Sequence, residues 1–233
     1  MNVRSGTSGF SYKEWKGVFY PEDLAASAML GWYADRLPAV EINNTFYRMP
    51  KTSVLESWAD QVGEGFRFVL KASRRITHFK RLKDVEDEVD FFLRSAATLG
   101  DRLGAVLFQL PPNMPKDIDR LEAVLAQLGD PRRAAFEFRH RSWSDPDVGE
   151  CLANHGAALC AADTDEQPAE IIPTGPMVYV RLRRTDYDET QLASWASAVR
   201  ETGRDDGFVF FKHEDEATGP RLAQRFQQIV DDA

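Results

Sequence analysis

With 233 residues, 43% of them hydrophobic and 28% charged, the chain has the make-up of an ordinary globular protein large enough to bury a sizeable core. Its formal charge of −8 argues against general, backbone-driven nucleic-acid binding, which needs clustered Lys and Arg and a positive field. No run approaches the roughly 20 apolar residues of a membrane span, and the N-terminus enters a strand-like segment without an apolar signal region, so a cytoplasmic protein with no membrane partner is expected.

In chain order, residues 3–10 read as a short strand entering a Gly- and Ser-rich loop. Tyr12, Trp15, Phe19 and Tyr20 follow, and their density predicts a packed connection. Helical spacing over 27–37 puts Met29, Leu30, Tyr33 and Leu37 on one face until Pro38 stops it. Residues 40–43 alternate as a strand, with Val40 and Ile42 opposite Glu41 and Asn43. A helix over 53–61 carries Val54, Leu55 and Trp58; a third strand over 66–71 sets Phe66, Phe68 and Leu70 against Arg67, Val69 and Lys71. An irregular basic stretch leads through Lys80 and Arg81 to a helix over 85–99 with Val89, Phe92, Leu93 and Ala96 inward, and Gly100 and Gly104 bracket the next turn.

Residues 104–110 are nearly continuously apolar, the pattern of a parallel strand covered on both faces, and Pro111-Pro112 ends it. A helix over 117–128 precedes a strand at 134–139, which puts Phe136 and Phe138 on one side and Glu137 and Arg139 on the other. A helix over 145–154, a strand over 157–163, a turn-rich loop over 164–176 in place of a helix, a strand over 178–183, a helix over 189–201 with Leu192 and Trp195 inward, a strand over 208–213 and a helix over 217–230 complete the chain. Cys151 and Cys160 fall on a helix and a strand and read as two buried thiols rather than a disulfide.

Strict alternation of strands and helices means parallel strands joined by crossovers. Eight such units predict a single-domain, TIM-type (β/α)8 barrel over residues 1–233. An open doubly wound sheet is disfavoured, because no Gly-x-Gly-x-x-Gly or phosphate-loop lysine motif follows the first strand.

In a closed barrel the side chains facing away from the helices point inward, and those at the C-terminal strand ends line the mouth. That rule selects Glu41, Asn43, Lys71, Gln109, Glu137, Arg139, Asp163, Arg181, Arg183 and His213. Each charged one alone fits an ion pair plugging the barrel. As a group they fit a ligand site, since Val, Ile and Leu layers would serve stability as well. Glu137, Lys71 and Glu41 are the acid–base candidates; Arg139, Asn43, Gln109, Asp163 and Arg181, with the aromatic Trp143 and Tyr47, are the substrate contacts. Glu41, Glu137, Asp163 and His213 include the oxygen ligands of a Mg or Mn site, but the interleaved cations repel a metal, and no cofactor is expected. Signatures of serine or zinc hydrolases are missing.

The sequence resembles the YecE-like family, domain of unknown function 72. The motifs that carry the resemblance are Gly6-Thr7-Ser8-Gly9-Phe10-Ser11-Tyr12 with Trp15, Phe19-Tyr20-Pro21, the run from Glu41 to Arg48, Phe68 to Ala72, Leu107 to Pro112, Phe136 to His140 with Ser142-Trp143, and Phe211-Lys212-His213 with Gly219. The resemblance spans nearly the whole chain. It implies a TIM-type barrel in a family spread across bacteria and brings no reaction with it. Relatives carry Asn where this chain has Lys212 and His213, which argues against an essential His213.

The expected function is an enzyme for a small anionic or sugar-like substrate, with hydrolase or isomerase/lyase-type acid–base chemistry. The alternative is a non-catalytic barrel that binds a ligand or nucleic acid through Trp15, Phe46, Tyr47, Trp143 and the basic residues 71–81. The oligomeric state is left open.

Overall fold

The computed structural model describes residues 1–212 and 217–232. Its strands are β1 (Asn2–Ser8), β2 (Ala39–Ile42), β3 (Arg67–Lys71), β4 (Leu103–Gln109), β5 (Ala134–Glu137), β6 (Ala158–Asp163), β7 (Met177–Leu182) and β8 (Asp206–Phe211). Each lies parallel to its neighbours, and β8 pairs with β1 to close the barrel. The helices are α1 (Met29–Ala34), α2 (Thr52–Asp60), α3 (Glu86–Ala96), α4 (Ile118–Gln127), α5 (Pro146–His155), α6 (Glu189–Glu201) and α7 (Thr218–Asp232). The segment 164–176 holds no helix, so β6 passes to β7 through a loop. No helix is long and apolar enough to cross a membrane.

Period-two alternation divides the apolar residues into two cores. Val40, Phe68, Leu70, Phe108, Phe136, Val178 and Val180 pack under the helices, whereas Ala39, Val69, Ala105, Leu107, Ala135, Ala158, Cys160, Met177, Tyr179, Phe208 and Phe210 fill the barrel. The filling is lopsided: β7 and β8 send in rings, and β2, β4, β5 and β6 send in alanines that make room for them. Gly6 completes the fit, because a Cβ there would lie 1.9 Å from the Ala39 carbonyl oxygen and 3.2 Å from the Phe210 ring.

Several local expectations are corrected. The helix expected over 85–99 ends at Ala96, and a tighter turn, Ala97–Arg102, completes the descent to β4 with Gly100 at φ +55°. The basic stretch contains one wide helical turn, Arg75–Phe79. Arg75 and Lys80 both pair with Glu88, at 2.7 and 2.8 Å, so part of its charge is spent on α3. Phe138 lies beyond the end of β5 and is half-buried, and Trp195 is likewise only partly covered. The first connection is packed, with the Tyr20 hydroxyl donating to the Phe10 carbonyl at 2.5 Å and Tyr12 to Ser8 at 2.7 Å. Cys151 and Cys160 are free and buried.

Candidate functional site

Six strands bring a polar side chain into view of the mouth, and the inward position closest to each C-terminal end decides which. Ser8, Lys71, Gln109 and Glu137 are the last residues of β1, β3, β4 and β5; Glu41 and Arg181 are next to last in β2 and β7. Arg181 is the hub. Its Nη1 donates to Glu137 Oε2 at 2.5 Å and its Nη2 to Glu41 Oε1 at 2.8 Å, so one guanidinium ties β7 to β2 and β5 across the barrel.

Glu41 also accepts from Ser8 Oγ at 2.7 Å, Asn43 Nδ2 at 3.2 Å and Tyr179 Oη at 2.6 Å. Glu137 Oε1 accepts from Gln109 Nε2 at 2.8 Å and Arg139 Nε at 2.9 Å. The Gln109 carbonyl oxygen in turn accepts from Lys71 Nζ at 2.8 Å. That ammonium sits 4.4 Å from the centre of the Phe46 ring. Phe46 is held there by the turn after β2, where Thr45 Oγ1 donates to the Ile42 and Lys71 carbonyls at 3.0 and 2.7 Å.

The cluster has a buried floor and an open rim. Glu41, Glu137 and Arg181 are each at most 2% exposed, Lys71 is 9% exposed, and the Arg139 side chain is 34% exposed. Burial alone would push Glu137 up, but Arg181, Arg139 and the Gln109 hydrogen bond outweigh it and hold its pKa at about 2. The same balance of burial against Arg181, Tyr179 and Ser8 lowers Glu41. Both carboxylates are therefore ionised and spent on hydrogen bonds at neutral pH. Lys71 behaves oppositely: burial, then the Arg181 charge, bring it down to about 8, with Glu41 and Glu137 offsetting part of the shift. His78 is also lowered, by burial and by Lys71, Arg139 and Arg81.

Of the residues expected at the site, Glu41, Asn43, Lys71, Gln109, Glu137, Arg139 and Arg181 are brought together. Asp163 is not. Cys160 and Ala162 take the inward positions of β6, so Asp163 faces out and accepts from Arg184 Nη2 at 2.9 Å, Tyr187 Oη at 2.9 Å and the Ala169 amide at 3.0 Å. Its run of Ala, Leu and Cys has no alternation from which a facing could be read. Trp143 is buried, donating its indole N–H to the Met114 carbonyl at 2.8 Å and stacking on Phe138 at 4.4 Å, where it braces the loop after β5. Tyr47 stands 64% exposed on the rim, edge-on to Phe46 and under the Arg74 guanidinium. His213 lies outside the described residues.

Ser8 and Tyr179 were missed. Ser8 reads as loop in the sequence, and Tyr179 passes for a core aromatic although it shares the inward parity of Arg181. With Asp163 turned away and both glutamates bound to Arg181, the three carboxylates expected for Mg or Mn do not come together; among the described residues no three His, Cys, Asp or Glu gather as metal ligands.

The fold and site define a closed parallel (β/α)8 barrel with a charged hydrogen-bond network at the C-terminal mouth. The chain belongs to the family described as protein of unknown function DUF72, whose model matches residues 4–233. It is 31% identical over 125 residues to the UPF0759 protein YecE of Escherichia coli K12 and 31% identical over 136 residues to the UPF0759 protein YunF of Bacillus subtilis 168. These matches take in 53% and 54% of this chain and 46% and 48% of those proteins, about half the length of each curated relative. A DUF72 family protein from Thermotoga maritima, known from its crystal structure, superposes with a TM-score of 0.87 at 27% identity, covering 99% of this chain and 100% of that one. A DUF72 family protein from Enterococcus faecalis shares the fold with a TM-score of 0.78 at 22% identity over 99% of this chain and 98% of that one.

Proposed function

We propose that the mouth binds a small anionic or sugar-like substrate and that Lys71 is the group that exchanges a proton with it. The observation that carries this reading is the contrast between Lys71 and the carboxylates beside it. Glu41 and Glu137 are locked as anions by Arg181, whereas Lys71, on the same network, is brought down to about 8, within reach of neutral pH. A proton carrier works best with a pKa near the operating pH, so Lys71 takes the acid–base role and the glutamates orient the cations. Arg139 reaches the rim and supplies an anion contact.

Screening a metabolite library for thermal stabilisation of wild type and Lys71→Met tests the reading. At least one small anion should stabilise the wild type, and any turnover found for it should fall roughly 10²- to 10⁴-fold in Lys71→Met. A library with no stabilising anion, or turnover unchanged in Lys71→Met, would refute it.

A second reading, a barrel that binds single-stranded nucleic acid, is favoured by one feature. Tyr47 and Phe79 stand 64% and 67% exposed with the Arg74 guanidinium 5.3 and 5.2 Å from their rings, which suits base stacking. Oligonucleotide binding that survives near-physiological salt and is lost in Tyr47→Ala would select it over the first.

A further inference from the structure

We propose that the anion recognised at the mouth is a tetrahedral dianion, a phosphate or phosphomonoester, held between Arg183 and Arg139 beside Lys71. This rests on the reading above that the mouth takes an anionic substrate, and it names that anion's charge, shape and anchoring residues.

The described charges at the mouth do not balance. Among the described residues, the cluster and its rim collect two carboxylates, Glu41 and Glu137, against four cations, Lys71, Arg139, Arg181 and Arg183, an excess of two positive charges. Arg181 uses both its Nη groups on the carboxylates, so the excess sits on the other three. Cations packed this closely in a partly buried volume repel one another unless an anion joins them. A phosphomonoester at neutral pH carries about −1.5 to −2, which matches the excess; a monocarboxylate would leave a positive charge uncompensated.

Both arginines keep N–H groups that no described residue engages. Arg183 continues the inward parity of Tyr179 and Arg181, one residue past the end of β7, and its side chain makes no hydrogen bond or ion pair among the described residues. Burial, then the Arg181 charge, depress its pKa and outweigh the attraction of Glu137 and Glu41, neither of which it bonds. Arg139 commits only Nε, to Glu137, and leaves both Nη groups open. Two forked donors with free N–H groups suit a tetrahedral oxyanion, which offers oxygens to both. The position is also apt, since barrels frequently hold phosphate at the loops after strands seven and eight.

The test uses the full chain, inorganic phosphate, sulfate and acetate as probes, and the variants Arg183→Gln and Arg183→Lys, read by calorimetric titration and melting. Because Arg183 has no hydrogen bond or ion pair to lose among the described residues, Arg183→Gln should melt no lower than wild type without ligand. Phosphate and sulfate should bind wild type and acetate should not. Arg183→Gln should weaken phosphate binding about tenfold to a hundredfold, the worth of one or two charge-assisted hydrogen bonds, and Arg183→Lys should restore part of it. Phosphate binding equal in wild type and Arg183→Gln would place the anion elsewhere and overturn the proposal. Acetate binding as tightly as phosphate with the same dependence on Arg183 would also overturn it, while leaving the anion-site reading intact. If no anion binds at all, the reading and the proposal fall together.

Discussion

Glu137 is bonded by three side chains at once, and the consequences of removing it follow from what they would lose. Breaking a buried ion pair leaves an uncompensated charge and costs about 3–5 kcal/mol. Glu137→Gln would set an amide N–H against Arg181 or Arg139, so urea unfolding at pH 7 should show a loss of roughly 3 kcal/mol. Linkage gives a similar figure. The folded-state pKa of about 2 lies below the ordinary 4.5, so the stabilisation is fully present above pH 4.5 and is lost as pH falls towards 2, worth roughly 3 kcal/mol. The gap between wild type and Glu137→Gln should therefore close between pH 4.5 and pH 2; a gap that stays constant would show that Glu137 does not titrate as described. Lys71 has the opposite sign. Its pKa of about 8 lies below the ordinary 10.5, so the charged amine costs stability below pH 8, and the cost is relieved as pH rises from 8 to 10.5. Burial and Arg181 and Arg139 disfavour its charge, Glu41 and Glu137 favour it, and the Gln109 oxygen and Phe46 ring face it directly. Lys71→Met should melt above wild type at pH 7 and lose that advantage by pH 10.5. A variant that melts below wild type at pH 7 would mean that the packing of Lys71 outweighs its charge.

At the scale of elements, the weak tolerances lie where strands touch. Gly6 pairs with Ala39, and a methyl group there runs into backbone rather than into a movable side chain. Gly6→Ala should cost at least about 1–3 kcal/mol in chemical denaturation, as overpacking does, with β1 and β2 forced apart. On β5, Phe136 is fully buried and Phe138 is half-buried against Trp143. Phe136→Ala should therefore cost about 3–5 kcal/mol and Phe138→Ala distinctly less; the reverse order in the same melts would contradict the described packing.

Across the whole molecule, a chain of net charge −8 gathers, among the described residues of its barrel mouth, the cations Lys71, Arg139, Arg181 and Arg183 around the two carboxylates Glu41 and Glu137. On the proposed anion site, small anions should be drawn to that mouth while a long polyanion meets a chain of net negative charge, both effects being screened by salt. Phosphate association should slow as ionic strength rises from about 10 mM to 150 mM, and a single-stranded 20-mer should show no binding even near 50 mM salt. Oligonucleotide binding that persists at 150 mM would contradict this picture and favour the stacking surface at Tyr47 and Phe79.

What the sequence by itself determined was local and periodic. Alternation in β2 and β5 set Val40 and Phe136 against Glu41 and Glu137, period-two parity placed Gln109 at the inward end of the apolar β4, and the count of eight strands with a loop in place of one helix implied the closed barrel. The polar inward ends on β2, β3, β4, β5 and β7 were legible for the same reason: period two is a property of the strand and needs no partner. What only the tertiary structure decided was which of these side chains meet and in which charge state. Asp163 sits in a strand without alternation, so its outward facing depended on the register of β6 against β7. Glu137 and Lys71 look alike in sequence as polar strand ends, yet closure of the barrel puts Glu137 within reach of two guanidinium groups and leaves Lys71 beside a neutral amide oxygen. Pairing across a barrel joins residues more than a hundred positions apart, as in Arg181 and Glu41, and a pKa follows from such distances, which no local pattern encodes.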